Sequence, residues 1–76
     1  VSSIHTKSYK QFLVRLNSAR EQAGLTQVEV SKLLDKPQSF VAKCENGDRK
    51  VDAIELLQFS KLYQVPVDYF FEGVEL

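Results

Sequence analysis

Seventy-six residues, 43% apolar and 26% charged, describe one small globular unit whose modest core would gain from a partner or a second copy. No apolar run approaches the ~18–20 residues that span a bilayer, Val1–Ser8 lacks a secretory pattern, and the start on Val1 points to a processed or trimmed end. One cysteine excludes an internal disulfide and fits a reducing, cytoplasmic compartment, and with His5 and Cys44 isolated no metal or other cofactor is expected. The net charge of zero hides a polarity: up to Lys50 nine Lys/Arg face five Asp/Glu (+4), and from Val51 one Lys faces five acids (−4). Chance would explain this; so would a basic half turned towards phosphate.

The first element runs from about Lys7 to Ala23. Phe12, Leu13, Leu16, Ala19 and Ala23 recur at helical steps, and Gly24 stands where a left-handed terminating residue is wanted. Residues 1–6 read as a loose start, with a core over about 8–72. Thr26 followed by Glu29 forms a capping box, so a second helix starts at Gln27, turns Val30, Leu33 and Leu34 inward, and ends near Asp35. Pro37 suits the first turn of a third helix, with Val41 and Cys44 inward and Asn46-Gly47 as its end. Asp52 caps a fourth helix reaching Tyr63, with Leu56, Phe59, Ser60 and Tyr63 inside, and Pro66 stops it. A last short helix covers Asp68–Glu72 with Phe70 buried. Nothing alternates like a strand. The expectation is a compact all-α fold of five helices, in which two short helices joined by a tight turn, the second and third, have helix-turn-helix spacing.

Gly24-Leu-Thr-Gln-Val-Glu-Val-Ser31, Pro37-Gln-Ser-Phe-Val-Ala-Lys-Cys-Glu-Asn-Gly47, Leu56–Val65 and Val67–Phe71 stand in an order and spacing that resemble the lambda-repressor/Cro-like (XRE-type) helix-turn-helix family over about Phe12–Phe71. The resemblance implies a third helix in the major groove of double-stranded DNA, with Gln38, Ser39 and Lys43 at base edges, side chains whose donors and acceptors suit that role. It implies phosphate contacts from Gln27, at the start of the second helix, and from Lys36, Asn46, Arg49 and Lys50. It also implies an ion pair between Arg20 and Glu45 that fixes the recognition helix. Phe40 has three readings: against a thymine methyl group, folded over Lys36 and Lys43, or covering the core. Cys44 reads as a small buried hydrophobe.

Three positions depart from the family pattern. Asp35 and Gln64 stand where glycine is common, and Pro37 replaces the usual hydroxyl cap of the third helix. Family members usually pair, and the apolar tail of Val67, Tyr69, Phe71, Val74 and Leu76 reads either as a homodimer contact or as a cover over the domain's own core. No nucleophile with a base, no phosphate loop and no metal cluster argues for an enzyme. The expected function is a transcriptional regulator, a repressor on a two-fold symmetric operator. The competing reading is a protein-interaction module such as the antitoxin of a toxin–antitoxin pair, and a third is the N-terminal part of a longer repressor.

Overall fold

The computed structural model describes residues 6–76. The chain forms four α-helices, α1 (Lys7–Gln22), α2 (Gln27–Leu33), α3 (Phe40–Asn46) and α4 (Ala53–Tyr63), followed by a 3-10 helix over Val67–Phe71. No strand occurs among the described residues. The expected fifth helix at Asp68–Glu72 is thus this tighter 3-10 turn, one residue earlier. The expectation of a loose start falls mostly on residues 1–5, His5 included, which lie outside the described residues. Thr6 belongs to the fold, since its hydroxyl accepts the Tyr9 N–H and caps α1.

Local chemistry sets most boundaries. α2 and α4 open on full capping boxes, Thr26 with Glu29 and Asp52 with Glu55, each satisfying two amides that would otherwise lack partners. α1 ends with Gly24 at φ 73° and the Leu25 N–H on the Arg20 carbonyl. Asp35 at φ 57° does the same work for α2, with the Lys36 N–H on the Ser31 carbonyl, and Gln64 at φ 58° for α4, with Val65 on Ser60. α3 ends on Gly47 at φ 87°, so two of the four αL terminators carry a Cβ, as the departures from the family pattern anticipate.

Phe12, Leu16, Ala19, Val30, Val41, Cys44, Phe59, Tyr63 and Phe70 form the buried core, together with Phe40. Two expected inward residues are not inside: Ala23 is exposed past the end of α1, and Leu33 is 60% exposed. The tail folds back on α1. Gln11 donates to the Glu72 carbonyl, Arg15 to the Tyr69 carbonyl, and Ser8 to the Glu75 carbonyl. Arg15 also covers the Tyr69 ring at 3.9 Å, and Phe71 stacks on Phe12 at 6.0 Å. Tyr69 and Val74 pack against the core, Val67 is half-buried, and Phe71 and Leu76 stay exposed. Most of the tail is therefore engaged within its own chain.

Candidate nucleic-acid interface

α3 is held against the rest of the chain by one carboxylate. Glu45 leaves α3 with its side chain only 6% exposed and meets Arg20 of α1 twice, Nε to Oε2 at 2.7 Å and Nη2 to Oε1 at 3.2 Å. Asn17 of α1 and Gln27 of α2 donate to the same Oε1 at 2.9 and 3.0 Å. The remaining Arg20 nitrogen, Nη1, donates to the Leu25 carbonyl between α1 and α2. Burial alone would push the Glu45 carboxyl up; the hydrogen bonds from Arg20, Gln27 and Asn17, with the Arg20 charge, more than reverse this and hold it below the ordinary value. The anticipated pair is there, and it is the centre of a network joining α1, α2 and α3.

A second buried polar group ties α2 to α3. The Ser31 hydroxyl donates to the Gln27 carbonyl and accepts the Val41 N–H at 3.1 Å. Val41 is in the first turn of α3, so a residue of the preceding helix supplies the cap that Pro37 does not. The start of α3 differs accordingly from the sequence expectation. Pro37 stands ahead of the helix: its carbonyl accepts the Phe40 N–H, and Ser39, at φ −88° and ψ 0°, has the geometry of the third residue of a type I turn. Gln38 and Ser39 are the exposed central residues of that turn, and Lys43 is exposed on the helix that follows.

Phe40 faces inward, 6% exposed, and stacks on Phe59 with centroids 6.4 Å apart. That orientation takes it away from base edges and corrects the thymine-contact reading. The other two readings merge, because the ring covers the core while Lys36 Nζ sits 5.3 Å from its centroid. Arg49 approaches the same ring at 5.0 Å, and its Nη1 pairs with Glu55 of α4 at 2.7 Å. Burial would raise the Glu55 carboxyl, but the hydrogen bonds from Arg49 and from the Asp52 backbone bring it below the ordinary range.

The remaining expected contacts divide. Lys36, Lys50 and Asn46 are exposed, and the Asn46 side-chain oxygen accepts the Asp48 N–H, shaping the loop after α3. Gln27 is spent on Glu45, and Glu29 places a carboxylate in the first turn of α2, so this edge of the surface is less suited to phosphate than its sequence suggests. Cys44 is fully buried, and burial raises its thiol, which keeps it protonated. Among the described residues no His/Cys/Asp/Glu group could hold a metal, and no helix is long and apolar enough to cross a membrane.

Sequence reasoning missed Asn17, Ser31 and Glu55. Each had a faint signal: Asn17 is one turn before Arg20 on the same face, Ser31 is four residues after Gln27, and Glu55 completes the box that Asp52 opens.

A helix-turn-helix family model matches residues 16–70, the span from the middle of α1 into the 3-10 helix. The chain is 36% identical over 56 residues, 74% of its length, to the HTH-type transcriptional regulator PrpR of Mycobacterium tuberculosis. It is 38% identical over 55 residues, 72% of its length, to the HTH-type transcriptional regulator ImmR of Bacillus subtilis. It spans 12% and 43% of these two relatives. No solved structure matches it. With α2, the Asp35 turn and α3 inside the matched span, and Glu45 and Ser31 setting their angle, the chain belongs to the XRE-type helix-turn-helix family.

Proposed function

We infer that the chain is the DNA-reading unit of a transcriptional regulator, a repressor that binds double-stranded DNA with α3 and the turn before it in the major groove. The observation that carries this reading is the buried Glu45 network, which fixes α3 to α1 and α2 while leaving Gln38, Ser39 and Lys43 exposed at its leading side. A reading head needs that rigidity, because base contacts discriminate only when the side chains reach base edges at a fixed distance. Gln38 is suited to adenine, Ser39 to several bases and Lys43 to guanine or a phosphate, with Lys36, Asn46, Arg49 and Lys50 towards the backbone. Both named relatives are transcriptional regulators, which supports the same reading.

Binding as a symmetric homodimer is part of the proposal, since one module covers only a few base pairs. Its tail contact rests on the exposed Phe71 and Leu76, with Val67 at the margin, because Tyr69 and Val74 are packed inside the chain. Selection of duplexes from a random pool at low salt is the test. A two-fold symmetric motif with half-sites about one helical turn apart supports the reading. Absence of enrichment by a folded, helical protein removes it and favours a protein-interaction role such as an antitoxin's.

A further inference from the structure

We propose that Lys36, Lys43 and Arg49 close around a single DNA backbone phosphate, and that Phe40 is the positioning residue which holds two of these cations in place. This rests on the DNA-binding reading above and assigns its main backbone contact. The three cations line an open basin of about 280 Å3 with Pro37, Ser39 and Phe40. Lys36 comes from the turn before α3, Lys43 from α3 and Arg49 from the loop after it. Long side chains from three separate segments do not converge by propensity; the Phe40 ring brings two of them together. Its face attracts Lys36 Nζ at 5.3 Å and Arg49 Cζ at 5.0 Å, and stacking on Phe59 fixes the ring itself. Glu55 and the Lys50 carbonyl both take Arg49 through Nη1, which locks the guanidinium by one nitrogen.

The lining chemistry selects the ligand. Two ammonium groups, a guanidinium and the Ser39 hydroxyl are donors, above an apolar floor, and no carboxylate or side-chain amide lines the basin. A guanine edge also offers only acceptors, but it is uncharged; a phosphodiester adds a full negative charge, which suits three converging cations. Glu55 neutralises one of the three cations, leaving a net positive basin; neither Lys36 nor Lys43 is salt-bridged to a carboxylate among the described residues. Lys43 thereby moves from base reading to the backbone.

The experiment uses the duplex found by selection. Affinity is measured across a salt series for the unaltered chain, Lys36→Gln, Phe40→Leu and the double variant, and single-phosphate ethylation is mapped for each. Phe40→Leu is expected to weaken binding roughly three- to tenfold with base preference intact. Loss of each cation should reduce the slope of log K against log salt by about one. Lys36→Gln should add little to Phe40→Leu, because both act through one basin. Ethylation of one phosphate per half-site should block the unaltered protein and matter less in both single variants. If Phe40→Leu does not fold, the exposed Lys36→Gln with ethylation mapping decides alone. An unchanged slope and footprint in folded variants overturn the basin and leave the DNA-binding reading standing. No binding of any duplex by the unaltered chain overturns both.

Discussion

Ser31 shows how one small side chain ties α2 to α3. Its hydroxyl is fully buried and serves two backbones at once, donating to Gln27 and accepting from Val41. Ser31→Ala keeps the helix propensity and nearly the volume but leaves the buried Val41 N–H without an acceptor. The expected cost is ~1–3 kcal/mol, read as a shifted urea midpoint with an unchanged m-value. At the surface, the sorting of contacts is open to a similar test. Gln38→Ala should lower affinity by ~1–3 kcal/mol for one preferred base pair and relax selectivity there, while Arg49→Ala should weaken all sequences alike and flatten the salt dependence. Identical behaviour of the two variants in a binding-site selection would sink the sorting. At this scale, burial separates what the sequence revealed from what it hid. Arg20 and Glu45 were legible only through the family resemblance, which implies their pairing; the pair itself is buried at 2.7 Å. Phe40 was not: its direction depends on where α3 begins, and that start is displaced by the Pro37–Phe40 turn and by the ring's pairing with Phe59, over a separation no local pattern reports.

Helices with their own caps were read almost to the residue at their starts, because the Thr26–Glu29 box and the Asp52 cap are local signals, though the Glu55 half of the second box was missed. α3 was misplaced because its cap comes from another element, and the tail kept two readings because its partners Ser8, Gln11 and Arg15 lie at the far end of the chain. The junction of α1, α2 and α3 at Glu45 gives the clearest energetic prediction at this scale. Glu45→Ala leaves Arg20, whose side chain is 12% exposed, without its counter-charge, and breaking such a pair costs ~3–5 kcal/mol. Chemical denaturation measures it, and a loss below about 1 kcal/mol would mean the network is replaceable by water. The same carboxylate links stability to pH. Glu45 and Glu55 both have folded values depressed below the ordinary 4.5. The unfolded chain therefore binds their protons first as pH falls, so their contribution is fully present above the unfolded value and lost as pH drops through the lower folded values. A denaturation series should be flat in this respect above about pH 5.5 and decline below about 4.5. The decline should shrink in Glu45→Gln. The turn after α4 carries the opposite kind of strain: Gln64 at φ 58° is exposed, and Gln64→Gly should stabilise by up to ~1 kcal/mol by removing a Cβ from the left-handed region, checked by thermal unfolding.

Across the whole molecule, zero net charge and an opposed polarity make long-range attraction to DNA weak, so the proposed binding would draw its affinity from a few close contacts on the α3 side and from pairing two copies. Pairing has a geometric consequence that a single copy does not. If α3 enters the major groove, two copies related by a two-fold axis must present it on one side of the duplex, with half-sites about one turn, ~34 Å, apart. Inserting about five base pairs between the selected half-sites rotates one of them to the opposite face and should abolish cooperative binding, and about ten should restore part of it. Phe71→Ser should weaken the pairing without unfolding the chain, since Phe71 is 44% exposed and stacks on Phe12 only from outside. Sedimentation at micromolar concentration should show species above the 8.7 kDa monomer, in the free protein or at least on the two-half-site duplex. A monomer under both conditions, with binding indifferent to half-site spacing, would leave α3 as a reader of one half-site and remove the tail from the interface.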